Sequence, residues 1–427
     1  MNENDTATVM HQFNTDKRFR LELDPKILLP LLAFCEKNIV RYVVLVISMI
    51  PIVNVVSGFI IPTLYTMLFL MYLKKYGSNT SLKEIGVLFF VIFAIAISCL
   101  LYPVNASYIL NSNNFWNTIF PCLRFYIVGL VIIPNERIMS IIGKASCLAI
   151  LVETLFVIVY MMPRGLLQSD DMSRAYQILP NILFSLNLAY NKKEISAWVC
   201  SLIGIIYVCS MGSRGPLIII IVYCFVKFLQ HNGKTRAQTL TMGTFFVLIG
   251  IIFINSNLYL TVLSIVRSLF ISLGLSTRVI DLALSNEIVT HTSGRDEIYD
   301  LLKQKISERP VLGYGVYGEW QWVHWNAHNM YLEILVHYGV ILGSVLLIWL
   351  IYTTVHTYST TPNKASKDMI LMWGCFVFVK GIFGGSYLQF GVFYLIGFCL
   401  REIRRVSGLS NEALECYNKK KGKTANW

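Results

Sequence analysis

Residues 195–230 read ISAWVCSLIGIIYVCSMGSRGPLIIIIVYCFVKFLQ, and this stretch gives the clearest indication of the fold. Two apolar runs, 195–210 and 216–230, flank a short polar interruption that contains Arg214. Long apolar runs with almost no charge are typical of helices that cross a bilayer. Pro216 favours a helix start, because the amide hydrogen that proline lacks has no helical partner there. The stretch therefore predicts two membrane-spanning helices joined by a tight turn.

The composition of the whole chain agrees with this interpretation. Of its 427 residues, 55% are hydrophobic and 14% are charged, whereas about 25% are charged in soluble globular proteins. An ordinary soluble enzyme is therefore excluded. The net charge of +12 does not predict a nucleic-acid partner, because the basic residues are scattered between apolar runs and do not cluster on a soluble face. Membrane insertion explains them, since cytoplasmic loops of membrane proteins collect Lys and Arg.

Apolar runs recur along the chain and predict an all-α polytopic membrane protein with about twelve transmembrane helices. The predicted spans are 39–54, 58–73, 84–102, 115–133, 138–161, 177–190, 195–210, 216–230, 240–256, 330–355, 368–384 and 386–400. They form one transmembrane domain, 39–400, between an N-terminal tail, 1–38, and a basic C-terminal tail, 401–427.

The distribution of Lys and Arg predicts how these spans are oriented. Most basic residues fall in the two tails and in alternate connections, which places those connections and both termini in the cytoplasm. The opposite side has one long connection, 257–329. Its first part, 258–275, is apolar, but a span there would put the basic C-terminal tail outside, so a helix at the membrane interface or against the bundle is predicted instead. The long connection is thus an extracytoplasmic loop that carries short helices.

Arg214 is the first of four features on the predicted outer face. An arginine in so short a turn at membrane depth is costly unless it has an anionic partner. Two interpretations stay open. The side chain either extends to the interface to be hydrated, or it binds a functional anion.

Arg295 belongs to the second feature. The apolar residues that follow it have helical spacing and predict an amphipathic helix that ends before Pro310, with Ser293 as its N-cap. A cation in the first turn opposes the helix dipole, so Arg295 needs another reason to lie there. A phosphate at the helix N-terminus would supply that reason. An ion pair with Glu297 or Asp300 is the alternative.

The third feature is aromatic. The segment 313–316, Gly-Tyr-Gly-Val, is followed closely by Trp320, Trp322 and Trp325. An aromatic belt at the membrane interface accounts for such tryptophans. The alternative is a stacking wall for sugar rings.

His328 is the fourth feature, at the mouth of the predicted span 330–355. An imidazole outside the membrane can lose and regain a proton near neutral pH, although a lone histidine is more often structural. Its position on the same face as Arg214 and Arg295 favours a functional role. No HExxH, CxxC or DxD pattern accompanies it, so neither a metal nor another cofactor is predicted.

Together these features resemble the O-antigen polymerase and O-antigen ligase superfamily of bacterial envelope glycosyltransferases. The resemblance rests on Ser213-Arg214-Gly215, Gly294-Arg295, Pro310-Val311-Leu312-Gly313-Tyr314-Gly315, and His328-Asn329-Met330-Tyr331-Leu332-Glu333 followed by Tyr338-Gly339. These blocks fall within residues 210–345. The histidine block is fairly specific, whereas the Ser-Arg-Gly turn alone would not be.

The resemblance implies a metal-independent, inverting glycosyltransferase of the GT-C type in the inner (cytoplasmic) membrane of a bacterium. Its substrates would be undecaprenyl-diphosphate-linked glycans at the outer leaflet. Arg214 and Arg295 would hold the diphosphate and stabilise the charge that develops as the sugar bond breaks. His328 would act on the acceptor hydroxyl as general base or hydrogen-bond partner. Four further residues are predicted to bind substrate: Arg278, Tyr314, Trp320 and Lys380.

The family contains two activities that share a donor and differ in acceptor. A polymerase joins lipid-linked repeat units to one another, whereas a ligase transfers the finished polymer to lipid A core. The Gly-Tyr-Gly and histidine blocks resemble polymerases more, including capsule polymerases. A flippase or other transporter is a third hypothesis, disfavoured because the sequence shows no internal repeat with broken helices. The expected partners are the donor and acceptor glycans, the bilayer, a chain-length regulator and a flippase.

Overall fold

The computed structural model describes residues 82–110, 120–161, 172–231, 257–272, 277–285, 295–323, 327–388 and 391–407. The chain divides between residues 79 and 80 into two units, and all described residues belong to the second. The predicted N-terminal tail and the predicted spans 39–54, 58–73 and 240–256 lie outside the described residues.

The described residues are mostly helical (85%) and contain no strand, which confirms the all-α prediction. The helices are α1 (Leu82–Leu101), α2 (Pro103–Ile109), α3 (Phe120–Val131), α4 (Glu136–Phe156), α5 (Met172–Lys192), α6 (Ile195–Ser210), α7 (Arg214–His231), α8 (Asn257–Ser272), α9 (Arg278–Leu284), α10 (Asp296–Glu308), α11 (Met330–Thr360), α12 (Lys364–Gly374), α13 (Lys380–Phe383) and α14 (391–407). Short π-helical segments follow α4 and α12, and a 3-10 turn spans Gly318–Gln321. Each predicted span in the described ranges coincides with a helix, although the ends differ by several residues.

Two of the described helical stretches, Glu136–Val159 and Met330–Thr360, are long and apolar enough to cross a membrane. Three other apolar helical stretches are shorter: Phe89–Leu101, Ile195–Ser210 and Leu263–Ser272. Membrane association is thus supported by two helices, and the number of spans stays a prediction.

Close helix contacts build the part of the core formed by α4, α5 and α6. A Cβ atom at Gly204 of α6 would lie 2.7 Å from Ile182 of α5, and one at Gly143 of α4 would lie 2.8 Å from Leu188 of α5. Small residues at such contacts let helix backbones approach closely, which favours helix packing where the surroundings are apolar. The glycines therefore fix how α5 lies against its two neighbours.

An ion pair joins α7 to α12 at the end of α7 that is far from Arg214. Lys227 and Asp368 are both buried, and their charged atoms lie 2.5 Å apart. Asn191 of α5 donates a second hydrogen bond to Asp368 at 2.6 Å. Buried charges are tolerated only when they are paired and hydrogen-bonded, so these contacts hold α5, α7 and α12 together.

Helix α11 is broken at Gly339, where the sequence predicted a continuous span. The backbone of Gly339 has φ +74°, which favours glycine. A side chain at this position would overlap the carbonyl oxygen of Val311. The amide of Val340 donates to the carbonyl of Pro310, outside the helix, at 2.6 Å.

The loop 310–315 satisfies backbone carbonyls that the break exposes. The amide of Tyr314 donates to the carbonyl of Val336 at 2.8 Å, and the amide of Gly315 donates to that of His337 at 2.9 Å. Buried backbone carbonyls need such partners. The segment Gly313-Tyr314-Gly315 therefore contacts the break at Tyr338-Gly339 through backbone hydrogen bonds.

Candidate functional site

Arg214 is the first residue of α7 and follows the turn that ends α6. The next residue, Gly215, lies directly against the hydroxyl of Tyr176, and a Cβ atom there would overlap this oxygen. The Ser-Arg-Gly turn therefore needs glycine after the arginine because α5 lies so close. This contact fixes Arg214 beside the start of α5.

Arg295 lies at the N-cap of α10, and Ser293, the predicted N-cap, lies outside the described residues. Its side chain makes no capping bond. Instead, its Nη1 donates to the carbonyl of Phe383 at 2.6 Å. This contact ties the beginning of α10 to the end of α13, and it places the guanidinium beside Gly384.

The alternative explanation of Arg295, an ion pair on its own helix, finds no support from Asp300. That carboxylate is exposed and pairs with Lys303 at 2.9 Å. The described hydrogen bond of Arg295 points to a different helix, so the residue is oriented by tertiary structure.

Tyr176 connects the two predicted arginines. Burial raises the pKa of the Tyr176 phenol to about 12, against the opposing effect of the positive charges of Arg295 and Arg214. Lys380 is also close, with its Nζ 4.9 Å from the centroid of the Tyr176 ring. Three cations from three helices therefore surround one tyrosine at the start of α5.

Arg278, the first residue of α9, belongs to the same cluster. The pKa of Arg214 is lowered by burial and then by the charges of Arg295 and Arg278. Like charges at short range repel one another, and a shared anion relieves that repulsion. We call Arg214, Arg278, Arg295 and Lys380 the cation cluster. Its arrangement suits an anion with several oxygens, such as a diphosphate.

His328 lies next to the cation cluster. Burial and the charge of Arg295 lower the pKa of its imidazole, so the ring is neutral at neutral pH. Its carbonyl accepts a hydrogen bond from the hydroxyl of Tyr299 at 3.2 Å. A neutral imidazole can accept a proton from a hydroxyl group, as a general base must.

The backbone at His328 is held in an uncommon conformation. Its φ is +54°, in the left-handed region, where few residues other than glycine are found. The following residue, Asn329, is the N-cap of α11, and its side chain accepts from the amides of Tyr331 and Leu332 at 3.0 and 3.1 Å. The helix start therefore fixes the position of the histidine.

The described contacts of Tyr314 and Trp320 are made with residues outside the cation cluster. The Tyr314 hydroxyl donates to Glu308 at 3.1 Å, and its ring packs edge-on against Trp322. The Trp320 ring packs against Tyr108 and Tyr317. None of these contacts involves the cation cluster, so the role of both residues in sugar binding stays a prediction.

The structure adds residues that the sequence did not indicate. Tyr176 precedes a predicted span and belongs to no motif, and Phe383 contributes only its carbonyl. A separate group of three buried side chains, Glu319, Glu333 and His337, could hold a metal ion.

Comparison with protein-family models and with curated proteins found no match to this chain.

Proposed function

We propose that the chain is a membrane glycosyltransferase that polymerises undecaprenyl-diphosphate-linked repeat units into O-antigen or capsular polysaccharide. The observation that supports this proposal is the convergence of Arg214 and Arg295 on Tyr176, with His328 beside Arg295. The three residues are far apart in the sequence, and each was singled out there for a different reason.

The cation cluster would bind the diphosphate of the lipid-linked donor. Arg214 and Arg295 would donate hydrogen bonds to its oxygens, with Arg278 and Lys380 adding positive charge. Such preorganised donors act most strongly on charge that develops in the transition state. The cluster therefore suits a reaction in which a diphosphate becomes the leaving group.

His328 would act on the acceptor. Its neutral imidazole accepts the proton of an acceptor hydroxyl, and that oxygen forms a bond to the anomeric carbon of the donor sugar. The bond between this carbon and the diphosphate oxygen breaks, and undecaprenyl diphosphate leaves with the electron pair. A direct displacement of this kind inverts the anomeric carbon. All the groups used in the step belong to the chain and its two substrates.

The surface of the described helices supports a lipid environment. Large apolar side chains are exposed on α1, α4 and α6, among them Phe89, Leu155 and Leu202. Exposed apolar faces on several helices are unfavourable in water and mark contact with lipid or with other apolar surfaces. We propose about twelve spans, with both termini in the cytoplasm of a bacterium and the cation cluster at the outer face of the inner membrane.

The test is turnover by the purified full chain in lipid nanodiscs, supplied only with undecaprenyl-diphosphate repeat units. A ladder of polymer lengths supports the polymerase. Product that forms only after lipid A core is added identifies the ligase instead. No sugar transfer under either condition contradicts the proposal.

Variants separate a role in transfer from a role in folding. Arg214→Ala, Arg295→Ala and His328→Ala should each abolish transfer while the amount of protein in the membrane stays the same. Lys303→Ala is the matched control, because Lys303 lies on α10 with Arg295 but is exposed and paired with Asp300. Loss of the three variant proteins from the membrane would support structural roles for these residues.

A further inference from the structure

Glu319, Glu333 and His337 form a compact buried group. They lie on the 3-10 turn 318–321 and on the first part of α11. Their exposed fractions are 0%, 1% and 1%. One possible ligand atom from each residue lies within 4.8 Å of those of the other two. Such a set of one imidazole and two carboxylates is uncommon in a protein interior, where ionisable groups are seldom fully buried.

The charges of this group are not balanced by the described side chains. His337 Nε2 pairs with Glu319 Oε2, and it is the basic partner of that carboxylate. Glu333 accepts hydrogen bonds from the Ser386 hydroxyl at 2.6 Å and from the Tyr387 amide at 3.1 Å, both of them neutral donors. In the described part of the chain, two carboxylates therefore share at most one positive charge, and burying an uncompensated charge is strongly unfavourable.

One oxygen of the group has no hydrogen-bond partner among the described residues. Glu319 Oε1 is buried and makes no hydrogen bond to any described residue. Leaving a buried charged oxygen unsatisfied is unfavourable, because the hydrogen bonds that it makes to water in the unfolded chain are not replaced. A ligand in the group would satisfy this oxygen.

The surrounding hydrogen bonds orient the three side chains as the outer shell of a metal site does. His337 Nδ1 bonds the Tyr387 hydroxyl at 2.7 Å, and the Tyr338 hydroxyl lies 3.1 Å from the same oxygen. Metal-binding histidines usually bond a further group through their second nitrogen, and metal-binding carboxylates are hydrogen-bonded in turn. Ser386 and Tyr387 supply these bonds to Glu333 and His337.

We propose that Glu319, Glu333 and His337 bind a divalent first-row transition-metal ion. Imidazole and carboxylate ligands together suit Zn²⁺ and its neighbours in the series. A doubly charged ion with two carboxylates and a neutral imidazole makes the group neutral overall. The ion fastens the 3-10 turn to α11 beside the break at Gly339, which is a structural role. Sugar transfer as proposed above does not use it, so the two proposals stand or fall separately.

The test is the metal content of the full chain, purified in detergent with an affinity tag that contains no histidine and analysed by plasma mass spectrometry. The expected result is about one transition-metal ion per chain, the binding stoichiometry of a single closed site. The double variant Glu319→Gln/His337→Ala should contain none. Glu136→Gln/His356→Ala is the matched control, because both of these side chains are exposed, and it should keep the ion.

A milder variant covers the case in which the double variant does not fold. Ser386→Ala keeps all three ligands and removes one outer-shell bond, so it should bind Zn²⁺ about tenfold more weakly or worse. Chelation of the wild-type protein should lower its melting temperature, and added Zn²⁺ should restore it. A purified chain with no metal and no saturable Zn²⁺ binding overturns the proposal, as does a double variant that keeps its metal.

Discussion

The guanidinium of Arg295 donates a hydrogen bond to the backbone carbonyl of Phe383, 88 residues further along the chain, with an N–O distance of 2.6 Å. This bond joins the N-terminus of α10 to the end of α13, the short helix that begins at Lys380. It also explains why a cation lies where the helix dipole is unfavourable to it. The contact assembles the cation cluster from segments that the sequence places far apart.

Gly215 should be needed for the position of Arg214. In Gly215→Ala the new methyl group overlaps the Tyr176 hydroxyl, which forces α5 and α7 apart. Because small displacements of catalytic groups cost about 100-fold in rate, transfer should fall by that order in steady-state assays. Adding Tyr176→Phe removes the overlapping oxygen and should restore part of the activity. A double variant no more active than Gly215→Ala would contradict this explanation.

The rate of transfer should depend on the protonation of His328. Its pKa is lowered from an ordinary value of about 6.5, so the ring stays neutral down to more acidic pH than a free histidine. A general base works only in its neutral form. The pH profile of kcat/KM should therefore be flat near neutral pH and fall only below about pH 6.5. An acid limb above pH 7, or none at all, would argue against His328 as the base.

Lys380 should contribute charge to donor binding. Lys380→Met keeps most of the side chain that packs on Tyr176 and Phe376, and it removes the positive charge. Donor affinity should fall about tenfold, the lower end of the loss for a hydrogen bond to a charged group. Lys367→Met is the control. Lys367 also lies over a tyrosine ring, that of Tyr358, but it belongs to α12 and is not part of the cation cluster. Unchanged donor affinity of Lys380→Met would show that Lys380 does not belong to the donor site.

The break in α11 should make Gly339 sensitive to substitution. Gly339→Ala combines a positive φ with overlap of the Val311 carbonyl, and a strained backbone of this kind costs about 1–3 kcal/mol. The melting temperature in detergent should fall accordingly. Gly374→Ala is the matched control, since it is helical and its Cβ atom would lie 3.8 Å from Thr354. Equal melting temperatures for both variants would show that the break is not required.

The sequence predicted the described helices, and singled out residues of the candidate site, for identifiable reasons. Apolar runs mark helices whatever they pack against, which is why α6 agrees with its predicted bounds. Arg214 and Arg295 stood out because each carries a charge where local physics disfavours it. Such unfavourable placement can be recognised from sequence alone.

Other features depend on contacts that the sequence does not encode locally. Gly339 lies inside an apolar run that reads as one helix, and only its pairing with the loop 310–315 creates the break. Tyr176 is placed by the close approach of Gly215. The position of the Arg295 side chain at the N-cap of α10 depends on its hydrogen bond to the carbonyl of Phe383, a residue far away in the sequence.

The proposed roles assign the polyprenyl diphosphate to the cation cluster and the acceptor to His328. Equilibrium binding of sugar-free undecaprenyl diphosphate to the purified chain and its variants separates these two roles. Arg214→Ala and Arg295→Ala should each weaken binding about 10- to 100-fold, the effect of losing a hydrogen bond to a charged group, whereas His328→Ala should bind like the wild type. Equal binding by all four proteins, or equal loss in all three variants, would rule out this division of roles.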